Sequence, residues 1–386
     1  MGPSPAVTDV RNAVRESLRD LDPGALVLVA CSGGADSLSL GAALAFVAPR
    51  QRLRAGGVTV DHGLQPGSAG RARDVAAVLA RLGLGPVACV PVSVPRNGRN
   101  GGPEAAARTA RYDALAAEAE RTGAATILLG HTLDDQAETV LLGLARGSGA
   151  RALAGMAARR GCYRRPLLNV RRATTRAACA ALALPVWDDP HNVSPRFARA
   201  RVRQEAMPAL EAALGPGVAE ALARTAGQLR ADADFLDALA EMEAERACGG
   251  STTLLTEHLA ALPSALRTRV LHGAAVAAGC PAGSLTAGHV EQLGALVTGW
   301  RGQRWVDLPG GVRGFRRDGQ LRFTRDSAPA AAGPAGSGPV AGAADDVLGW
   351  DREGGHGRGR HGDRPEGSAD RRGQAVPAGG GAGSAH

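Results

Sequence analysis

Residues 25 to 30, ALVLVA, form a short apolar run, partly β-branched and apolar on both faces, which predicts a central strand of a parallel sheet. After SGGADS an apolar stretch at helical spacing follows. The alternation then repeats along the chain. A strand is expected at Gly57 to Val60, ending in Asp61 and His62, then a helix from Ala69 to Leu82, and a third strand within PVACVPVSV. The segment 103–121 opens with Pro at an early helical position, and ATILLGH (125–131) reads as a fourth strand. TLDDQAETVLLGLAR reads as a helix whose start, Thr132 with Asp135, looks like a capping box, and a further helix is expected near Arg171 to Ala183. Strands alternating with helices predict an α/β fold, a doubly wound parallel sheet with right-handed crossovers.

From about Gly215 the pattern changes. GVAEALARTAGQLRADADFLDALAEMEAER carries apolar residues near every third or fourth position over many turns, an amphipathic helix that need not belong to the sheet. Further helices and a strand-like ending, QRWVDLPGGVRGFRRDGQLRFT, complete a second unit. Beyond Arg325 the composition collapses to Ala, Gly, Pro, Ser and charge, which buries too little apolar surface to fold. The expected organisation is a sheet domain over 1–213, a smaller, mainly helical domain over 214–326 and a disordered tail over 327–386; a length of 386 residues accommodates two ordinary domains.

Three of the expected strands end in polar turns, SGGADS, VDHGL and GHTLDD. Open α/β sheets bind ligands at the carboxyl edge of their strands, so these turns can converge on one site. In SGGADS, Gly33 and Gly34 let the backbone approach a phosphate, Ser32 and Ser37 add hydroxyl donors, and the following helix presents its unpaired N–H groups. Asp36 would repel such a phosphate, so it implies a divalent cation or a proton-handling step. The spacing is neither that of the Walker loop nor that of the dinucleotide fingerprint. His62 and His131, with Asp36, Asp134 and Asp135, favour a nucleotide and magnesium site.

The formal charge is +8, and all 45 basic residues are arginine. Guanidinium groups pair two-pronged with phosphate and stack on bases, which suits nucleic acid; a GC-rich coding bias is the main cause of the missing lysine, so the net charge carries this argument better than the choice of arginine. Arg196, Arg199, Arg201 and Arg203 fall within eight residues, and on a helix Arg196, Arg199 and Arg203 share a face. They read either as a grip on phosphates or as a solvated basic face. The six cysteines are scattered with no CxxC pair, which favours a reduced, cytoplasmic protein with structural thiols. No apolar run approaches the length of a membrane span, so no membrane partner is expected.

Taken in order, SGGADS, VDHGL, EAAARTARY, GHTLDDQAET, RPLL and DDPHNVSPRFARARVR resemble the motif set of the tRNA isoleucine lysidine synthetases, within the PP-loop or N-type ATP pyrophosphatases. The likeness is close over residues 25–210, with an echo at WVDLPGGVR. It departs at Gln65, where Arg is common, at His191 in place of Ser or Thr, and at Ala200 in place of Asn. The additional C-terminal domain of longer members is not expected. The resemblance implies an adenine nucleotide alpha hydrolase-like fold and a two-step ligation using ATP and Mg²⁺. The wobble cytidine of a CAU-anticodon isoleucine tRNA is adenylylated on O2, and the ε-amine of free L-lysine then displaces AMP at C2. It further implies that Ser32, Gly33, Gly34, Ala35, Asp36 and Ser37 hold the nucleotide, with His62 and Arg108 as further contacts. Asp36 and Asp135 would hold the metal, and Arg111 and His131 would serve the departing pyrophosphate. Asp134, Asn192, Arg196, Arg199, Arg201 and Arg203 would serve lysine or tRNA, with Asp134 taking the amine proton. The resemblance also implies a homodimer. The rivals are a PP-loop tRNA thiolase, which needs paired cysteines, an amidotransferase-type synthetase, and an RNA-binding protein that senses nucleotide without ligation.

Overall fold

The computed structural model describes residues 4–61, 67–93, 102–147, 149–189, 194–248 and 253–325, with Gly2 and Gly63. The expectations placed on His62, Gln65, His191, Asn192 and the tail 327–386 therefore lie outside the described residues.

The chain enters through α1 (Pro5–Leu18), whose Val7, Val10, Val14 and Leu18 recur at helical spacing and are buried as one stripe. β1 (Leu26–Ala30) follows, then α2 (Ala35–Val47), β2 (Arg54–Asp61), α3 (Ser68–Arg81), β3 (Val87–Pro91), α4 (Gly102–Thr122) and β4 (Thr126–Leu128). α5 (Leu133–Ala145) and the single turn α6 (Ala150–Leu153) lead to two short strands, β5 (Arg159–Arg160) and β6 (Tyr163–Arg164), and to α7 (Arg172–Ala181). The sheet order is β3-β2-β1-β4-β6-β5. All pairings are parallel except β5 with β6. The fully parallel sheet expected from the sequence thus ends in an antiparallel hairpin, whose two-residue strands are too short to leave a period in the pattern.

β1 shows why a central strand reads as a continuous apolar run. Val27 and Val29 join the core beneath α1, α2, α3 and α7, whereas Leu26 and Leu28 join Leu115 of α4, Ile127 and Tyr163 on the opposite face. Successive side chains alternate faces, and both faces are covered. α2 is apolar on nearly every side because it lies enclosed within the first of these layers.

After α8 (Ala198–Arg201) the helix passes through a π-helical turn, Val202–Ala206, into α9 (Met207–Leu214). α10 (Val218–Cys248) is the long amphipathic helix the sequence announced. Its buried residues are Ala219, Ala226, Ala233, Ala240 and Ala247, one every seven positions, so a seam of small side chains lets neighbouring helices approach closely. The C-terminal lobe continues with β7 (Leu254–Leu255), α11 (Thr256–Ala261), α12 (Ser264–Ala277), α13 (Ala287–Thr298), β8 (Val306–Leu308), β9 (Val312–Arg317) and β10 (Gln320–Arg325). Its antiparallel sheet, ordered β7-β10-β9-β8, includes the strand-like ending and packs on helices around Leu259, Leu271, Leu293 and Leu321. Among the described residues no helix is long and apolar enough to cross a membrane.

Candidate active site

β1 pairs with β2 on one side and β4 on the other, so the chain reverses its winding direction between β1 and β4, where open sheets form a crevice. The loop after β1 fills that position. Gly33 adopts φ +88°, and a Cβ there would lie 2.8 Å from Val75 Cγ2, so the turn demands glycine twice over. Its carbonyl accepts from the Trp187 backbone N–H at 3.0 Å. Ser37 Oγ donates to Gly34 O at 3.0 Å and accepts from Ser32 N at 3.2 Å, which folds the loop over the start of α2. No side chain caps α2, whose N-cap is Gly34, so its first N–H groups face the crevice without a side-chain acceptor. Ala35 is buried, Ser32 exposed. Gly130, at the end of β4, brings the second loop against the first: a Cβ there would lie 3.1 Å from Ser37 N.

α5 opens with the capping box the sequence suggested. Thr132 N–H and Oγ donate to Asp135 Oδ2 at 2.8 and 2.9 Å, and Asp135 N–H returns to Thr132 Oγ. The other Asp135 oxygen accepts from Arg172 Nη2 at 2.7 Å and Arg203 Nη2 at 3.4 Å. Glu138, one turn further along α5 and only 1% exposed, takes the same two guanidinium groups, Arg203 Nε at 2.8 Å and Arg172 Nη1 at 3.2 Å. Burial opposes ionisation of Asp135, but Arg172 and the Thr132 N–H outweigh it and hold the carboxyl below the usual range.

Asp36 completes the cluster from the first turn of α2, with Oδ2 3.7 Å from Arg172 Nε and Oδ1 hydrogen-bonded to Thr175 Oγ. Burial, followed by the nearby Asp135 charge, pushes its proton affinity up, against the pull of Thr175 and Arg172. Thr175 Oγ also lies 2.8 Å from Arg172 O, so its single hydroxyl hydrogen serves one of these two acceptors at a time. Three acidic side chains, Asp36, Asp135 and Glu138, thus face two guanidinium groups, Arg172 and Arg203.

A second group lies beside the first. The guanidinium carbons of Arg108 and Arg111 sit 5.2 and 5.5 Å from the Tyr112 ring centroid. Burial would raise the phenol's proton affinity, but Arg108, Arg111 and Arg165 overcome it and lower it. The Arg111 Nε and the His131 Nδ1 are buried without a hydrogen-bond partner. Burial first, then the Arg165 charge, hold His131 well below its ordinary value against the pull of Asp135, so the imidazole is neutral and its Nδ1 is uncommitted.

The remaining sequence candidates separate. Both Asp134 oxygens are engaged, Oδ1 with Arg171 Nη1 at 3.3 Å and Oδ2 with the Arg172 backbone N–H at 2.7 Å. Asp134 therefore caps α7, with one hydrogen bond at each carboxylate oxygen. The arginine run does not act as one face. Arg203 turns into the carboxylates and Arg199 reaches Thr139 Oγ at 3.3 Å, whereas Arg196 and Arg201 are exposed and Arg201 bonds the Pro195 and Arg196 carbonyls. Among the described residues no three His, Cys, Asp or Glu side chains converge as a metal-binding set. Sequence reasoning missed Arg172, Thr175, Glu138, Arg165 and Tyr112. Glu138 carried a usable signal, three positions after Asp135 and so on the same helical face.

This architecture has counterparts. A PP-loop domain model matches residues 7–210, and a TilS substrate binding domain model matches residues 254–322. A tRNA(Ile)-lysidine synthase from Thermobifida fusca is 60% identical over 325 residues, covering 84% of this chain and 99% of the relative. One from Streptomyces coelicolor is 54% identical, covering 83% and 99%, and one from Mycobacterium bovis is 46% identical, covering 83% and 98%. With the phosphate-type loop, the paired carboxylates and a second lobe all inside the matched span, the chain belongs to the tRNA(Ile)-lysidine synthase family, ATP-utilising ligases of the PP-loop class.

Proposed function

We propose that this chain joins the ε-amine of free L-lysine to C2 of the wobble cytidine in a CAU-anticodon isoleucine tRNA, at the expense of ATP cleaved to AMP and pyrophosphate. The observation that carries the reading is the convergence of the uncapped start of α2 with Asp36 and Asp135 on one guanidinium, Arg172. In the first step the cytidine O2 attacks the α-phosphorus and the bond to the bridging oxygen breaks. Ser32, Gly33, Gly34, Ala35 and Ser37 receive the departing pyrophosphate on backbone N–H and hydroxyl donors. Arg111, with Arg108 and the neutral His131, faces the charge that develops on that leaving group. In the second step the lysine amine attacks C2, the C2–O bond breaks, AMP departs and the amine sheds a proton. The target base must leave the anticodon stack to reach the crevice.

Mg²⁺ fits the cluster, since magnesium is held by one or two carboxylates plus substrate phosphates, and Asp36 and Asp135 bring hard oxygen donors together around Arg172. When bound it would neutralise charge on the phosphate oxygens. We assign residues 1–213 to catalysis and 214–326 to tRNA binding, with Arg196 and Arg201 toward the RNA, Arg199 and Arg203 turned inward, and assembly as a homodimer in the cytoplasm.

The test is incubation of the purified chain with ATP, Mg²⁺, labelled lysine and a transcript of the isoleucine tRNA, followed by mass analysis of the wobble nucleoside. Lysine-dependent AMP release with a modified cytidine is the expected result. AMP release with another nucleophile and an unmodified cytidine would overturn the substrate assignment.

A further inference from the structure

α10 belongs to both lobes. At its start Ala219 packs against Leu133 and Ala137 of α5, the helix that carries Asp135 and Glu138. At its end Ala240 and Ala247 lie in the core of the C-terminal lobe. Its 31 residues span about 46 Å as one rigid rod.

Glu220 lies in the first turn of this rod, and its Oε1 is 2.8 Å from Arg171 Nε. Arg171 Nη1 continues to Asp134 Oδ1 at 3.3 Å, and Asp134 Oδ2 holds the Arg172 N–H at 2.7 Å. Asp134 and Arg171 are the chain neighbours of Asp135 and Arg172, the pair at the centre of the carboxylate cluster. Any movement of the α10 start relative to α5 therefore pulls on both halves of that pair. The second Glu220 oxygen, Oε2, is buried with no hydrogen-bond partner, an arrangement that a purely stabilising ion pair would avoid.

We propose that Arg171 is a positioning residue for the ligation, transmitting the seating of tRNA on the C-terminal lobe through α10 and Glu220 to the Asp135–Arg172 pair. The proposal rests on the ligase reading above and adds a coupling between RNA docking and the chemical step. Arg171 touches no reacting atom; it acts through Asp134 and the Arg172 backbone. Coupling of this kind is carried by ion-pair chains and rigid elements, and its removal changes the coupled step by about ten-fold.

The experiment compares Glu220→Gln with the unaltered chain on two RNAs, the full-length isoleucine tRNA and its isolated anticodon stem–loop, recording kcat, KM for ATP, RNA affinity and Tm. The unaltered chain is expected to turn over full-length tRNA faster than the stem–loop. Glu220→Gln is expected to lower kcat on full-length tRNA about ten-fold, to the stem–loop level, while stem–loop kcat, KM for ATP and tRNA affinity stay unchanged. Arg171→Lys, a point charge that cannot span both carboxylates, should follow the same pattern. Equal loss on both RNAs, with or without a lower Tm, would reduce the chain of ion pairs to a structural brace and overturn the proposal. So would an unaltered chain that treats both RNAs alike. Absence of lysine incorporation by the unaltered chain into either RNA would remove the ligase reading itself, and the proposal with it.

Discussion

Arg172 donates to Asp135 across 2.7 Å while the same guanidinium stands 3.2 Å from Glu138 and 3.7 Å from Asp36. One cation thus fixes three carboxylates contributed by two helices. Four carboxylates, those of Asp135, Glu138, Asp36 and Asp134, strengthen its charge against the cost of burial. Removing one partner of a buried pair leaves the others uncompensated, at a cost of about 3–5 kcal/mol. Arg172→Met is therefore expected to lower Tm sharply and to abolish turnover. Arg172→Lys should recover most of the stability and little activity, because an ammonium cannot hold three carboxylates in a planar fork. Thermal unfolding set beside single-turnover AMP release separates the two effects.

Gly33 tests the loop in isolation from the carboxylates. Its φ of +88° and the 2.8 Å approach of Val75 Cγ2 to an added Cβ both oppose Gly33→Ala. The left-handed conformation alone costs about 1–2 kcal/mol. The expected outcome is a KM for ATP raised at least ten-fold with little change in tRNA affinity, read by isothermal calorimetry for each ligand. Equal weakening of both ligands would place the fault in folding rather than in the phosphate seat.

Asp20 supplies a stability test with a defined pH window. Its hydrogen bond with Arg164 lowers its carboxyl to about 2, and Arg159 pairs with it from the neighbouring strand. A carboxyl depressed in the folded state contributes stability above its unfolded value and loses it as pH falls through the folded one. Asp20→Asn should therefore lower Tm at pH 7, by the equivalent of about 1 kcal/mol or less for so exposed a carboxylate. The difference should fade between pH 4 and pH 2. A gap that stays constant over that range would show that the amide disturbs packing rather than charge.

What was legible in the sequence follows the physics of each element. β1 and α5 were readable because a strand covered on both faces and a helix with a capping box each leave a local signature, and the three polar turns declared themselves by ending apolar runs. Asp36, Asp135, Arg111 and His131 all stand in those turns or in the EAAARTARY motif. Arg172 and Thr175 were not readable because nothing local distinguishes them. Their importance arises only when α7 is laid against α2 and α5, a contact between residues more than thirty positions apart. The arginine run misled for the opposite reason. Local spacing suggested one cationic face, and tertiary packing pulled Arg203 and Arg199 inward and left Arg196 and Arg201 outside.

That division of the arginines gives the last test. A guanidinium that pairs with an RNA phosphate displaces counterions, so each such contact adds about one unit to the slope of log affinity against log salt. Arg196 and Arg201 are exposed, and their side chains enter no described ion pair with a carboxylate. Arg196→Ala and Arg201→Ala should each weaken tRNA binding and flatten that slope by about one unit, at unchanged Tm. Arg203 is already spent on Glu138 and Asp135, so Arg203→Ala should lower Tm and turnover while leaving the slope where it was. Filter binding across a salt series, with thermal unfolding of the same preparations, distinguishes the two classes. A slope that falls for Arg203→Ala and holds for the other two would reverse the assignment of which arginines meet the RNA and which hold the carboxylates.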